Sequence, residues 1–211
     1  MINKSICKIY IVDDEEDLRE GISLLLKSYN YNAESFGSID QFLHKATCNN
    51  AGCILLDVFL GGKTGIELQV EIETKFEFLP IIFMTGKATV SMSVEALKKG
   101  AIDFLEKPID EKQLLSAIEL ALNKSISLIT KHSEIEKFKQ IVNSLTAREY
   151  EIFRCVICGM LNKQIAYELG IAEHTVKNHR MNITNKLGVK SVPEMIYIAE
   201  KLSIKGFTTP A

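Results

Sequence analysis

The sequence predicts an α/β domain with a doubly wound parallel sheet, (βα)5, followed by an all-α domain that contains a helix-turn-helix. Two observations predict the first domain. Apolar runs of strand length lack polar alternation, which is typical of parallel strands buried on both faces. These runs also alternate five times with helical segments. A third observation predicts the second domain, because amphipathic segments after residue 144 end at glycines, as helices joined by tight turns do.

Five strands are predicted, and four of them end in a polar residue just before a helical segment. These four cover residues 9–12 before Asp13, 54–56 before Asp57, 81–84 before Thr85 and 102–105 before Lys107. A shorter strand is expected at about residues 31–36. The helices are expected at about residues 16–28, from Ser38 onward with a capping Gln41, and at 64–74, 89–99 and 110–122.

The polar residues at the strand ends predict a site. The carboxyl ends of parallel strands meet at one edge of the sheet, so Asp13, Asp14, Asp57, Thr85 and Lys107 are expected to lie together. Three crowded carboxylates repel one another unless a cation lies among them, and hard oxygen ligands suit Mg²⁺. A divalent ion, a nucleophilic carboxylate, a lysine and a hydroxyl form a centre that can accept a phosphoryl group.

Two other interpretations fit this region less well. The glycines of residues 61–65 suggest a nucleotide-binding phosphate loop, but Asp57 stands where that motif requires a glycine. The acidic run of residues 13–17 could be a solvated loop, which is the usual role of such clusters. Its position at the end of an apolar strand, matched by that of Asp57, favours the metal site.

Five blocks occur in the order typical of the receiver domain of two-component response regulators, which about the first 120 residues resemble. The blocks are Val12-Asp13-Asp14-Glu15, Asp57, the following Gly62 and Gly65, Met84-Thr85-Gly86, and the stretch from Gly100 to Pro108. The resemblance implies a flavodoxin-like sheet with strand order 2-1-3-4-5. It also implies that the Lys107-Pro108 peptide bond can be cis.

The same resemblance implies roles for individual residues. Asp57 would be phosphorylated, and Asp14, Asp57 and the backbone carbonyl of Phe59 would hold Mg²⁺, with Asp13 acting through water. Lys107 and Thr85 would bind the phosphoryl group. Thr85 and Phe104 would form a switch pair, although a threonine can simply cap a turn and a phenylalanine can simply fill core.

Composition and charge place the chain in a broad class. The formal charge of −2 divides into −5 for residues 1–143 and +3 for residues 144–211, which favours a polyanion-binding second half. Five cysteines in apolar segments argue against a disulfide framework, and Cys155 and Cys158 are interpreted as core residues of one helix face. Without a signal peptide or a membrane-length apolar run, we expect a cytoplasmic protein with no membrane partner.

An apolar stripe with a period close to 3.5 follows the first domain. It runs through a predicted linker helix at residues 123–143 and is interrupted at residues 130–133. Such a stripe favours pairing of this helix with its copy, whereas the alternative is a helix that lies back on either domain.

The second domain begins with a predicted capping box, Thr146 to Glu149, and a helix that stops at Gly159. A short helix starts at Asn162 and ends at Gly170, and a longer one runs from about His174 to Gly188. The order of helix, turn and helix is that of a helix-turn-helix, whose second helix enters the DNA major groove. Basic and amide side chains on its exposed face can contact phosphates and bases.

Residues 145–202 resemble the LuxR-type DNA-binding domain. The blocks are Leu145-Thr146-x-Arg148-Glu149, the stretch from Asn162 to Ala166 and the stretch from Thr175 to His179. Ala172 departs from the usual serine cap of the recognition helix, and Arg148 and Glu149 are interpreted as structural. The expected DNA contacts are Lys163, Thr175, Lys177, Asn178, Arg180, Met181 and Lys186.

Together the two halves resemble a response regulator of the FixJ/NarL type. The implied organisation is a receiver domain at residues 1–122, the linker helix at 123–143 and a DNA-binding domain at 144–211. The implied partners are a sensor histidine kinase, double-stranded DNA, a second copy of the chain and, as a further candidate, RNA polymerase; the protein would not be an enzyme beyond its own phosphorylation and dephosphorylation. Two alternatives are a phosphoryl shuttle with vestigial DNA binding and a DNA-binding protein that works without phosphorylation.

Overall fold

The computed structural model describes residues 6–47, 50–60, 63–87 and 89–207. Residues 48–49 and 61–62, the latter including Gly62 of the resemblance to the receiver domain, lie outside the described residues. The chain divides into two units, Met1–Thr130 and Lys131–Ala211. Within the described ranges, no helix combines the length and the apolar character needed to cross a membrane.

Unit 1 is built on a parallel five-stranded sheet. Its strands, in chain order with the small hairpin formed by β4 and β5, are β1 (Lys8–Val12), β2 (Asn32–Phe36), β3 (Gly52–Asp57), β4 (Phe59–Leu60), β5 (Lys63–Thr64), β6 (Ile81–Thr85) and β7 (Asp103–Glu106). The sheet order is β2-β1-β3-β6-β7 with every pairing parallel, which confirms the predicted order 2-1-3-4-5 when the hairpin is left out of the count. The hairpin β4–β5 was not predicted.

Helices cover both faces of this sheet. They are α1 (Glu16–Ser28), α2 (Ile39–Lys45), α3 (Gly65–Lys75), α4 (Val90–Lys98) and α5 (Glu111–Asn143). Successive residues of a strand point to opposite faces, so Tyr10 and Val12 enter one apolar cluster while Ile9 and Ile11 enter the other. Burial on both faces explains why the strand sequences lack polar alternation.

Side-chain caps set several helix starts. Ser38 accepts a hydrogen bond from the backbone N–H of Gln41, and Thr64 and Glu67 form a reciprocal capping box at the start of α3. Each cap satisfies backbone donors that have no partner inside the helix. The Lys107-Pro108 peptide bond is cis, as the resemblance implied.

A buried serine fixes α5 to the sheet beyond residue 122. The hydroxyl of Ser125 accepts a hydrogen bond from the N–H of Gly52 at 3.1 Å and donates one to the carbonyl of Phe78 at 2.5 Å. Ser125 is fully buried, so its hydroxyl joins two backbone groups in an apolar setting. Unit 1 therefore uses a residue that the sequence assigned to the linker helix.

The rest of α5 supplies apolar residues to unit 2. Val142 is buried in the core of that unit, and Phe138 and Ile141 pack against it. The ring of Phe138 lies 6.1 Å from that of Tyr197 in an edge-on arrangement. The helix is continuous through residues 130–133, so the interruption of the apolar stripe does not break the helix.

The described part of unit 2 contains four further helices: α6 (Ala147–Ile157), α7 (Asn162–Glu168), α8 (Glu173–Leu187) and α9 (Val192–Lys201). The Thr146 and Glu149 capping box is present, and α8 begins after Ala172 without a side-chain cap. Gly159, Gly170 and Gly188 adopt the left-handed conformation that ends their helices. Helix α9 was not predicted, although Glu194 supports its start by accepting hydrogen bonds from Lys190 N–H and the Ser191 hydroxyl.

The expectation that Cys155 and Cys158 are both core residues is half wrong. Cys155 is buried, but Cys158 is exposed. Cys158 is the C-cap of α6 and therefore lies at the end of the helix, where it is exposed.

Candidate functional site

An acidic cluster lies at the carboxyl edge of the sheet, as the sequence predicts. Asp13 follows β1 and is fully buried, Asp57 ends β3 and is 5% exposed, and Asp14 is exposed to solvent. One carboxylate oxygen from each residue lies within 4.8 Å of those of the other two. Parallel strands bring these acids together because both β1 and β3 end at this edge.

Each buried carboxylate is oriented by a backbone N–H. Oδ1 of Asp13 accepts a hydrogen bond from Glu15 N–H at 2.9 Å, and Oδ1 of Asp57 accepts one from Phe59 N–H at 3.3 Å. Each bond links a side chain to the backbone two residues onward, which is the pattern of an Asx turn. The second oxygen of each carboxylate faces the ammonium of Lys107.

Lys107 is the cation of the cluster. Its ammonium lies 2.8 Å from Oδ2 of Asp13, 2.9 Å from Oε1 of Glu15 and 3.1 Å from Oδ2 of Asp57. Burial opposes the charge of Lys107, but its close contacts with the carboxylates of Asp13, Glu15 and Asp57 outweigh burial and raise its pKa above the ordinary value. Glu15 was not among the predicted site residues, because it precedes α1 and does not follow directly on a strand.

The surroundings of Asp57 disfavour the ionised form of its carboxylate. Burial raises its pKa above the ordinary value and the charge of Asp13 adds to the rise, while the hydrogen bond from Lys107 lowers it. Burial and the Asp13 charge prevail, so the ionised Asp57 has less solvation than an exposed aspartate. A carboxylate held in this way gains from any cation or group that relieves its charge.

The cluster opens into a cleft of about 340 Å³. The residues that line it are Asp14, Glu15, Asp57, Phe59, Gly86, Lys87 and Lys107. Phe59 is 46% exposed at its rim. Thr85 is fully buried beneath this edge, and its hydroxyl accepts a hydrogen bond from Lys87 N–H at 3.2 Å. The predicted site residues therefore lie together, with Thr85 in the wall behind the cleft.

The cluster has the composition of a divalent metal site. Oδ2 of Asp13 is buried and makes no hydrogen bond, although it lies within ion-pair distance of Lys107. Carboxylate oxygens at this spacing can coordinate a hard cation, which would satisfy the Asp13 oxygen and reduce the repulsion among the acids. The residues present fit such an ion.

Phe104, the proposed partner of Thr85, is half-buried beside the site. Its ring lies 6.3 Å from that of Phe83, and it packs against the same apolar cluster as β1 and β3. Thr85 and Phe104 occupy adjacent strands, in which Phe83 pairs with Phe104 and Thr85 pairs with Glu106.

A second surface lies on α8 of unit 2. Val176, Ile183 and Leu187 are buried, so the opposite face of the helix is directed to solvent. Lys177, Asn178 and Met181 are exposed on that face, and Thr175 is half-buried. Lys163 is exposed on α7.

Arg180 and Lys186, two other side chains expected to contact DNA, are bonded to residues of unit 2. Arg180 donates a hydrogen bond to Oδ1 of Asn162 at 2.8 Å. The ammonium of Lys186 lies 2.6 Å from Oε2 of the buried Glu149 and also donates to the Ser144 carbonyl. The bond from Lys186 lowers the pKa of Glu149 to about 2. Arg148 bonds to Glu151 and the Leu169 carbonyl, so Arg148 and Glu149 both make structural contacts, though not with each other.

Both units match known protein families. Residues 9–119 match the family described as "Response regulator receiver domain", and residues 143–205 match "Bacterial regulatory proteins, luxR family". The chain is a two-component response regulator of the FixJ/NarL type. This response regulator is 37% identical to the response regulator protein TodT of Pseudomonas putida over 194 residues, which cover 92% of this chain and 86% of TodT.

Solved structures agree with that assignment. The structure of response regulator StyR is 39% identical in sequence, with a TM-score of 0.81, and the match covers 92% of this chain and 98% of StyR. Full-length FixJ from B. japonicum is 31% identical with a TM-score of 0.54, and the match covers 93% and 97% of the two chains. The protein is thus a transcriptional response regulator that combines a receiver domain with a LuxR-type DNA-binding domain.

Proposed function

We propose that Asp57 accepts a phosphoryl group from the phosphohistidine of a sensor histidine kinase and that this reaction controls binding of the protein to DNA. The observation that carries the proposal is the position of Asp57. It is a nearly buried carboxylate with Lys107 at 3.1 Å, two further carboxylates within metal-ligand range, and a cleft that gives access from solvent.

In the proposed transfer an oxygen of Asp57 attacks phosphorus and forms an O–P bond. The N–P bond of the phosphohistidine breaks, and the imidazole nitrogen leaves with the electron pair. Asp14, Asp57 and the Phe59 carbonyl would hold Mg²⁺, with Asp13 nearby, and the ion would supply charge neutralisation for the phosphoryl oxygens. Lys107 is positioned to bind the phosphoryl group, and to do so it exchanges carboxylate contacts for phosphoryl contacts.

Thr85 and Phe104 are proposed as the switch that reports the new charge. The Thr85 hydroxyl would bond to a phosphoryl oxygen, and Phe104 would move into the space that it leaves. Phe104 lacks a hydroxyl, so its inward position would be held by packing alone. Such a change shifts a pre-existing equilibrium between two arrangements of this face.

We place dimerisation on the receiver face that includes α4. Val90, Val94 and Leu97 are 81%, 43% and 46% exposed, and their spacing sets them on one face of this helix. The apolar residues of the last part of α5 are instead packed in unit 2. A dimer would bring two LuxR-type domains to one DNA site and raise affinity through effective concentration.

We propose five DNA contacts on α7 and α8, namely Lys163, Thr175, Lys177, Asn178 and Met181. Lys163 and Lys177 would bind phosphates, and Asn178 and Met181 would face the bases.

The proposed domain limits remain residues 1–122, 123–143 and 144–211. RNA polymerase as a partner and a cytoplasmic location are part of the same proposal, because the protein must reach both kinase and DNA.

Intact mass spectrometry tests the phosphorylation step. The full chain is incubated with a small phosphodonor, with and without Mg²⁺, as wild type, Asp57→Asn and Asp40→Asn, the last altering an exposed carboxylate in α2. We expect the mass of one phosphoryl group to be gained by the wild type and Asp40→Asn only when Mg²⁺ is present. A gain in Asp57→Asn would contradict the assignment of the acceptor.

A further inference from the structure

The exposed face of α8 carries a row of amides. Asn178, Asn182 and Asn185 are all exposed and follow one another at spacings of four and three residues, so they form one stripe along the helix. Met181 lies beside this stripe and is 59% exposed. The stripe points away from the buried residues of α8. It is therefore the part of the helix that an incoming ligand would meet first.

These asparagines have no evident structural role. Asparagine is a poorer helix former than alanine because its side chain competes for backbone hydrogen bonds. Among the described residues, the side chains of Asn178, Asn182 and Asn185 make no hydrogen bond or ion pair. Three unfavourable residues on the solvent face of one helix, with no bond inside the domain, leave their amides free for an external ligand.

The basic side chains of α8 are arranged differently. Arg180 is bonded to Asn162 and Lys186 to Glu149, so both cations are held by the domain itself. Lys177 remains on the exposed face, with its ammonium 3.7 Å from Glu173. The solvent-facing stripe of the helix is therefore richer in amides than in cations.

The amides and the methionine on this face of α8 favour some bases over others. Guanine is read mainly by arginine or lysine, which donate to O6 and N7, whereas adenine is read by the amide of asparagine or glutamine at N6 and N7. An apolar side chain such as methionine suits the methyl group of thymine. An amide stripe with an adjacent methionine thus matches A·T base pairs in the major groove.

We infer that Asn178, Asn182 and Met181 read adenine and thymine, so that each half-site of the operator is A·T-rich where it faces this helix. Asn185 lies farther along the stripe. The first turns of a recognition helix approach the bases most closely, so Asn178 and Met181 would contact bases directly and Asn182 the next base step. The inference rests on the proposed binding of α8 in the major groove.

Selection from a pool of random DNA duplexes tests the inference. The full chain, before and after treatment with a small phosphodonor, captures duplexes at low salt, and the retained sequences are read. Wild type is compared with Asn182→Arg, which offers a guanine-reading group, and with Gln140→Arg, which makes the same amide-to-guanidinium change at an exposed position of α5. Circular dichroism checks that each variant is folded.

We expect wild type to enrich half-sites with an A·T core, Asn182→Arg to shift one position toward guanine by about 5- to 150-fold, and Gln140→Arg to keep the wild-type preference. Retained duplexes with a G·C core, or a core that Asn182→Arg leaves unchanged, would overturn the inference and leave DNA binding intact. Failure of both protein states to retain any duplex would overturn the proposed DNA binding and the inference with it.

Discussion

The ammonium of Lys107 lies 3.1 Å from Oδ2 of Asp57 while it also contacts Asp13 and Glu15. One cation therefore faces three carboxylates before any phosphoryl group is present. Lys107 does not fully compensate the negative charge of the cluster, because burial and the charge of Asp13 together still raise the pKa of Asp57. Phosphorylation and metal binding would act on a cluster that already carries excess negative charge.

Replacement of Asp57 by asparagine is expected to stabilise the protein at neutral pH. The pKa of Asp57 is higher in the folded protein than its ordinary value of 3.8, so the folded state loses stability as the pH rises through the interval between these values. Asp57→Asn removes that penalty. In urea unfolding without Mg²⁺, the free energy of unfolding of the variant should be larger than that of wild type at pH 7. This difference in free energy should shrink as the pH falls toward 3.8. Asp40→Asn should show no such trend, and a less stable Asp57→Asn at pH 7 would contradict this account of the cluster.

Lys186 is expected to act on stability because it neutralises Glu149 inside unit 2. The pKa of Glu149 is lowered to about 2, so the pair contributes fully above the ordinary value of 4.5 and its contribution is lost as the pH falls toward 2. Lys186→Met should lower the free energy of unfolding at pH 7 by about 1–3 kcal/mol. Urea denaturation at pH 7 and pH 3 measures the loss, which should be smaller at pH 3.

Lys177→Met is the matched control for that experiment. Lys177 is exposed and its distance to Glu173 is 3.7 Å, so its removal should change stability by less than about 0.5 kcal/mol. Its effect should appear in DNA affinity, together with a shallower dependence of binding on salt. If Lys177→Met unfolded the domain while Lys186→Met only weakened DNA binding, the two roles would be reversed.

Ser125→Ala should destabilise unit 1 although it lies far from the acidic cluster in sequence. The change removes the hydroxyl that bonds to Gly52 N–H and to the Phe78 carbonyl, and loss of a buried hydrogen bond of this kind costs about 1–3 kcal/mol. Thermal unfolding compares it with Ser127→Ala, an exposed serine of the same helix. Equal stability of the two variants would show that the bridge contributes nothing.

Val94→Lys should prevent dimerisation of the phosphorylated protein without blocking phosphorylation. The substitution puts a charge at the centre of the exposed apolar row on α4. Sedimentation analysis of phosphodonor-treated protein should then give a monomer, whereas Val70→Lys, at an exposed valine of α3, should still give a dimer. A monomer in Val70→Lys together with a dimer in Val94→Lys would place the interface elsewhere.

Much of unit 1 could be predicted because its strands are buried on both faces and its polar residues come directly after them. The strand pattern alone puts Asp13 and Asp57 at one edge. Glu15 could not be predicted as a partner of Lys107, because it lies two residues beyond the strand end that Asp13 marks. The contact of Lys186 with Glu149 was also missed, because a lysine on a recognition helix indicates DNA binding and the sequence does not show that a buried acid lies opposite.

Weak local signals account for the other differences. Ser191 and Glu194 mark the start of helix α9. Its apolar residues could not be assigned to a buried face from the sequence, because they pack in the core of unit 2, which only the structure shows. Ser125 falls on a position of the apolar stripe of α5, so the sequence indicates no separate role for its hydroxyl. Its hydrogen bonds to Gly52 and Phe78 appear only in the folded structure.

The central claim is that phosphorylation at Asp57 controls DNA binding, and the DNA affinity of the full chain before and after phosphodonor treatment tests it most directly. Fluorescence anisotropy with a duplex selected by the protein itself gives the dissociation constant at fixed salt and Mg²⁺. We predict that treatment tightens binding by tenfold or more in wild type and leaves Asp57→Asn unchanged, about 1.4 kcal/mol per tenfold change. Equal affinity of treated and untreated wild type, with phosphorylation verified by mass, would contradict the claim and indicate a receiver that does not control its DNA-binding domain.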